Sequence, residues 1–282
     1  MCIRDRWSEA DALSRIVSVD GSTGDFRHKY ELTFILYPVV AAWEVLRVDP
    51  LLSAEDRSRI EAWIDRRVAY ATEPFGGPNG QTNPFNVGYT VAGLRMAWGV
   101  IRGDHAAFAE GVERVYLGLH QMRRDGSFPR EVARGSCALF YQSVQTTALV
   151  YMAEVAAQQG YDLYALDVEG KTVHDAIRFI LDVVDNPSAL LAYAAAEPQN
   201  CGWPPGTPMD FNAVRRTEMS GRGSQYSYGK TESAWIEPYL RRFPTHPNAS
   251  RVRALITGGL QTFRPLTHPH IGGNTSCMFA LE

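Results

Sequence analysis

Apolar residues recur at helical spacing in segment after segment of this chain, and no segment shows the strict alternation of a half-buried strand. That pattern confines the fold to helix packed on helix. Residues 30–48 are apolar on several faces and predict a buried helix, with Pro38 marking a kink or a start. Ser53 precedes a segment with Glu55 and Asp56 in its first turn and Ile60, Trp63, Ile64 and Val68 on one stripe, which predicts a capped amphipathic helix. Val91, Leu94, Trp98 and Ile101 form the next stripe as far as Gly103, and Asp104 caps a helix carrying Phe108, Val112, Val115 and Leu119. Cys137, Tyr141, Val144, Ala148, Met152 and Val155 trace one face of a helix ending near Gly160. Thr172 caps another, with Ala176, Phe179, Ile180 and Val183 inward. Residues 232–240 and 250–263 predict a last pair, and 265–282 an irregular tail or a short strand.

Hairpins of roughly 40 to 50 residues without a sequence repeat predict an all-α fold, an incomplete α/α toroid of antiparallel helical hairpins. Long rim loops are expected at 73–86, 121–135 and 198–230, where Gly, Pro and polar residues crowd, and together they are expected to line one cleft. One catalytic domain is expected over residues 1–282. Because residues 1–6 lack an apolar signal-peptide core and no helix cap precedes Ala10, the native N-terminal portion is expected to be missing.

With 45% apolar and 21% charged residues, the composition is that of an ordinary globular protein. A net charge of −3 excludes nucleic-acid binding through bulk charge, and no apolar run reaches a membrane span. The four cysteines, Cys2, Cys137, Cys201 and Cys277, are scattered without zinc spacing, so no metal is expected and free buried thiols are the simplest expectation.

The chemistry concentrates at 125–141. The Asp125-Gly126 turn leads through Pro129 into a stretch bearing Arg130, Glu131 and Arg134, and Tyr141 stands seven residues beyond Arg134. If the helix already includes Arg134, two turns put both side chains on one face, and a guanidinium beside a phenol makes the tyrosine a better base. The loop at 73–86 delivers Gln81, Asn83, Asn86 and Tyr89 to a helix start, where amides suit a carboxylate. Each of these residues also has an ordinary structural role: Asn86 as an N-cap, Asn83 as turn chemistry before Pro84, Tyr141 as a core tyrosine and the Arg/Glu run as a solvated turn.

The Asn-rich helix start, DGSFPREVARG (125–135) and ALFYQ (138–142), with GYDLY (160–164), AWIEPY (234–239) and IGGNTSCMF (271–279), resemble the alginate lyase superfamily of α/α-toroid polysaccharide lyases from residue 81 onward. The resemblance implies a cofactor-free enzyme that cuts an anionic uronate polysaccharide by β-elimination and works in the periplasm or outside the cell. It assigns Asn86 to neutralising the C5 carboxylate, Arg134 to tuning the tyrosine and Tyr141 to proton transfer. The family's usual histidine after the Asn is Val87 here. In a β-1,4-linked mannuronate or glucuronate, H5 and O4 share one side of the ring, so Tyr141 alone can serve as base and acid in a syn elimination.

Further substrate contacts are expected from Arg130, Tyr226, Tyr228, Lys230 and His270, with His28, Lys29 and His268 able to reach the cleft from flanking segments and Arg215, Arg216 and Arg222 able to hold a polyuronate by charge. Two alternatives stand beside the lyase. Val87 would mark a uronate-binding toroid that has lost catalysis, and an α/α-toroid glycoside hydrolase would need a pair of acids, for which Glu131 and Glu237 are the available carboxylates.

Overall fold

The computed structural model describes residues 7–14, 26–73, 85–186, 188–194, 233–257 and 265–279. The expectations placed on Cys2, Gln81, Asn83, Cys201, Arg215, Arg216, Arg222, Tyr226, Tyr228 and Lys230 lie outside these residues, as does the side chain of His28.

Two long helices open the described fold. α1 (Phe26–Leu46) contains Pro38 within its length and buries Leu32, Leu36, Tyr37, Val40 and Trp43. α2 (Ala54–Thr72) starts where the Ser53 hydroxyl accepts the Asp56 N–H at 3.0 Å. α3 (Asn86–Arg102) is stopped by Gly103 in the left-handed region, and Asp104 accepts from Ala106 and Ala107 to open α4 (His105–Gln121). These two helices pack closely, because a Cβ on Gly111 would lie 2.5 Å from the Met96 sulfur. A one-turn helix, α5 (Pro129–Val132), and a 3₁₀ turn (Gly135–Cys137) then lead into α6 (Ala138–Gln158).

α6 departs from expectation, being buried on nearly every side instead of along one stripe. It packs against α3, α4, α5 and the C-terminal 3₁₀ turn (Pro269–Ile271), as well as against α7 (Val173–Asp185), so it has no solvent face to mark with charge. Several of its polar members are satisfied close by. Thr146 and Thr147 donate to carbonyls one turn back, and the Gln142 amide accepts from Phe128 N–H at 2.9 Å and donates to Gly126 O at 3.0 Å, tying down the 125–128 turn.

α7 carries a capping box in which Thr172 and Asp175 satisfy each other's backbone. After α8 (Ser188–Ala194) come α9 (Ile236–Arg242) and α10 (Ala249–Thr257). A bidentate ion pair from Arg242 to Glu154, at 2.7 and 2.6 Å, fastens α9 to α6, and the Tyr164 hydroxyl shares the carboxylate at 3.0 Å. The chain then forms a two-strand hairpin, β1 (Thr267–His268) with β2 (Gly273–Asn274), and a last short helix, α11 (Thr275–Phe279).

Cys137 corrects the expectation of free buried thiols. It is disulfide-bonded, its partner lies outside the described residues, and Cys277 is free and exposed. Among the described residues, no helix is long and apolar enough to cross a membrane and no group of three or more His, Cys, Asp and Glu residues is arranged to hold a metal.

Two stability predictions follow from this packing. Gly126 has φ +95°, and a Cβ there would stand 2.0 Å from the Asp175 carbonyl oxygen. Gly126→Ala is therefore expected to lower stability by at least ~2 kcal/mol through backbone strain and displacement of the α7 cap, read as a fall in the urea midpoint. The second concerns acid. Burial holds the His268 imidazole down at about 4, and His270 beside it is lowered in the same direction. The unfolded chain takes up these protons from about pH 6.5 downward while the fold refuses them, so stability present at neutral pH drains away as pH falls toward 4. His268→Asn keeps an acceptor for the His270 N–H and removes one titrating ring, so its loss of stability between pH 7 and 5 should be smaller by about 2 kcal/mol. An unchanged loss in denaturant titrations would count against this account.

Candidate functional site

The start of α3 has no local side-chain cap, since Phe85 occupies the N-cap position and makes no such bond. The first amides of a helix need acceptors, and here the acceptor arrives from α5. Glu131, with no exposed surface, accepts the Asn86 backbone N–H at 2.8 Å through one oxygen, and the Asn86 side-chain N–H at 3.1 Å and an Arg134 N–H at 3.4 Å through the other. Burial pushes the Glu131 pKa up, and the Asn86 donors and Arg134 pull against that rise.

Arg134 continues the chain of contacts. Its guanidinium carbon lies 3.4 Å from the centroid of the Tyr141 ring, and Tyr141 is half-buried, with Phe140 edge-on to it at 4.7 Å. The route by which Arg134 and Tyr141 meet differs from the one expected. α6 begins only at Ala138, so Arg134 precedes the helix, and the 3₁₀ turn folds it back over the ring. The contact is with the ring face, and among the described residues no hydrogen bond joins the guanidinium to the hydroxyl.

Asn86, Arg134 and Tyr141 thus form one connected cluster, with Glu131 as the link between the first two. Tyr30, at the start of the 30–48 apolar segment and in α1, is near enough to feel Tyr141, Glu131 and Arg134 electrostatically. Burial raises its pKa, and its hydroxyl is bonded to Thr90, whose own hydroxyl donates to the Asn86 carbonyl at 3.0 Å. No periodicity argument separates Tyr30 from its apolar neighbours. Glu131 was visible only as one charge in an Arg/Glu run.

The other expected contacts divide between the core and the partly or fully exposed surface. Tyr89 is buried, its ring packs against Gly118 of α4, and its hydroxyl donates to Gln121 at 3.3 Å. His270 is likewise buried, enclosed by the rings of Tyr30, Phe34 and Tyr37 and bonded to Thr33 at 3.2 Å, one layer behind Tyr30. His268 is buried beside it and accepts the His270 N–H at 3.0 Å. Lys29 is paired with Glu73 and lies over the Tyr70 ring. Arg130 is exposed, 5.1 Å over the Phe85 ring, at the edge of a cavity of about 300 Å³ lined by Gln121, Phe128, Pro129 and Gln145. Val87 is half-buried next to Asn86.

A family model described as Alginate lyase matches residues 22–190, more than half of the chain. A protein named "Polysaccharide lyase" from Stenotrophomonas maltophilia is 27% identical over 161 residues, and one named "Alginate lyase" from Pseudomonas fluorescens is 27% identical over 164. Each alignment covers 56% of this chain but 46% and 42% of the relative, so the chain spans under half the length of these relatives. Among solved structures, a substituted alginate lyase A1-III complexed with a tetrasaccharide superposes with a TM-score of 0.72 at 25% identity, covering 99% of this chain and 67% of that one. The crystal structure of alginate lyase A1-III from Sphingomonas species A1 gives a TM-score of 0.70 at 24% identity, covering 99% of this chain and 68% of that one. The helical hairpins are therefore those of an α/α toroid. With the match running through Asn86, Glu131, Arg134 and Tyr141, the chain belongs to the alginate lyase family.

Proposed function

We propose that this chain is a polysaccharide lyase that cleaves a β-1,4-linked uronic-acid polymer of the mannuronate or glucuronate type by syn β-elimination, with Tyr141 as base and acid. The observation that carries the reading is the Arg134 guanidinium seated over the Tyr141 ring, in a stretch the family model covers. The relatives named as alginate lyases, and the tetrasaccharide bound to one of them, support a substrate of this class. The Cys137 disulfide supports an oxidising compartment, periplasmic or extracellular.

Elimination requires removal of a weakly acidic proton α to a carboxylate, so the carboxylate charge must be offset as the enolate-like state develops. Asn86 gives one side-chain N–H to Glu131 and has a second for a substrate oxygen. Arg134, partly exposed, and Arg130, exposed, supply positive charge nearby. Tyr141 then takes H5 and returns the proton to the departing O4 on the same side of the sugar. Tyr30, kept protonated by burial, is placed to steady the charge on that side.

The hydrolase alternative loses both of its carboxylates, because Glu131 and Glu237 are buried and the latter accepts from Ser276 at 2.9 Å. Folded protein with polymannuronate or glucuronan is expected to yield the ultraviolet absorbance of an unsaturated uronate. Tyr141→Phe should lower that rate by ~10²-fold or more with an unchanged circular dichroism spectrum. Polyguluronate should be cut far more slowly, since Val87 offers no base on the opposite ring face. Binding of a uronate oligomer without turnover would instead establish a degenerate toroid, and reducing ends without the ultraviolet product a hydrolase.

A further inference from the structure

We propose that Glu131 is a positioning residue for this site, one that sets the orientation of the Asn86 amide and the seat of Arg134 over Tyr141. The inference rests on the lyase reading given above.

If α3 only needed a cap, a short polar residue at position 85 would provide one locally, yet the residue there is Phe85, whose side chain makes no cap hydrogen bond. The cap comes instead from 45 residues away, on the element that carries Arg134 and leads into Tyr141. A carboxylate with no exposed surface costs several kcal/mol of desolvation, which an amide or an apolar residue would avoid. What the carboxylate adds is acceptor-only chemistry. Both of its oxygens must face donors, so the Asn86 side chain is obliged to turn its NH₂ toward Glu131 and its oxygen away. The oxygen that fixes this orientation is the one that holds Arg134 at 3.4 Å. One atom therefore registers the carboxylate-binding amide against the cation over the proton-transfer tyrosine.

Glutamine at this position has the same shape but one acceptor and one donor group. If its oxygen takes the Asn86 backbone N–H, its NH₂ confronts the Asn86 amide and the Arg134 guanidinium, so Asn86 flips and Arg134 leaves the ring. In the full chain, Glu131→Gln is expected to lower kcat on polymannuronate by about 100-fold with KM held within about threefold. The melting temperature should move little, because removal of a buried charge offsets the lost bonds. A kcat within about threefold of wild type, or a loss expressed only in KM, overturns the proposal. Should Glu131→Gln not fold, Glu131→Asp keeps the charge but withdraws it from Asn86. It is expected to lose kcat at least about tenfold at steady KM, and retention of kcat would be equally fatal.

A readout independent of turnover separates this inference from the lyase assignment. Over the Tyr141 ring, the Arg134 Nε–H should show an upfield ring-current shift in nitrogen-labelled protein, and the shift should vanish in Glu131→Gln. If wild type gives no product on any uronate, the lyase reading fails while this shift still reports on the tether. If the shift persists in the variant, the tether is wrong whatever the activity.

Discussion

A carboxylate with no access to solvent closes the N-terminus of α3, and the local structure around the site follows from the need to satisfy it. An unpaired charge in that position would be strongly destabilising, so the three donors around Glu131 are a condition of folding as well as a feature of the site. Their geometry fixes the start of α3, because Asn86 contributes both its backbone and its side chain. It also fixes the segment before α6, because Arg134 is the third donor. The N-terminus of α3 favours negative charge through its aligned amides, which helps to explain how Glu131 is tolerated there although burial raises its pKa.

Around this knot the fold keeps its donors and acceptors in close account. Gln142, just over one turn into α6, pairs with both sides of the 125–128 turn, so the peptide entering α5 is held at its beginning by an amide and at its middle by the Glu131 bonds. Thr90 connects the Asn86 carbonyl to Tyr30, drawing α1 into the same network. Behind Tyr30 lie His270 and His268, neutral because they are buried, so the floor of the site contributes shape and aromatic surface without charge. Among the described residues, the cationic character of the region falls to Arg134 and Arg130.

Much of the helical order was legible because its signals are local. Ser53, Asp104, Gly103 and Thr172 each act within four residues of themselves, and each appears where the pattern placed it. What escaped was long-range or lacked contrast. Asn86 was expected to cap its own helix and instead begins it, because the cap comes from α5 across 45 residues. α6 is buried all round, so no polar face marked its orientation, and Tyr30 carried no label to distinguish it from a core aromatic. The Arg134–Tyr141 pairing was anticipated through a helix that does not extend that far. The residues meet because a 3₁₀ turn reverses Arg134 onto the ring, an outcome the seven-residue spacing permits but does not encode.

This difference in route bears on how a tyrosine with a cation nearby could work. A guanidinium hydrogen-bonded to the hydroxyl would compete with a sugar for the oxygen, whereas one lying against the ring face leaves the oxygen open while keeping positive charge close. On the lyase reading, that arrangement suits a group that must accept a proton and give it back to a second atom on the same side of the substrate. Val87 fits the same economy of bases, since a half-buried apolar side chain beside Asn86 offers no proton acceptor from the opposite ring face. Among the described residues, that chemistry would rest on one ring with a cation against its face, with Glu131 bonded to both the Asn86 amide and the cation behind them.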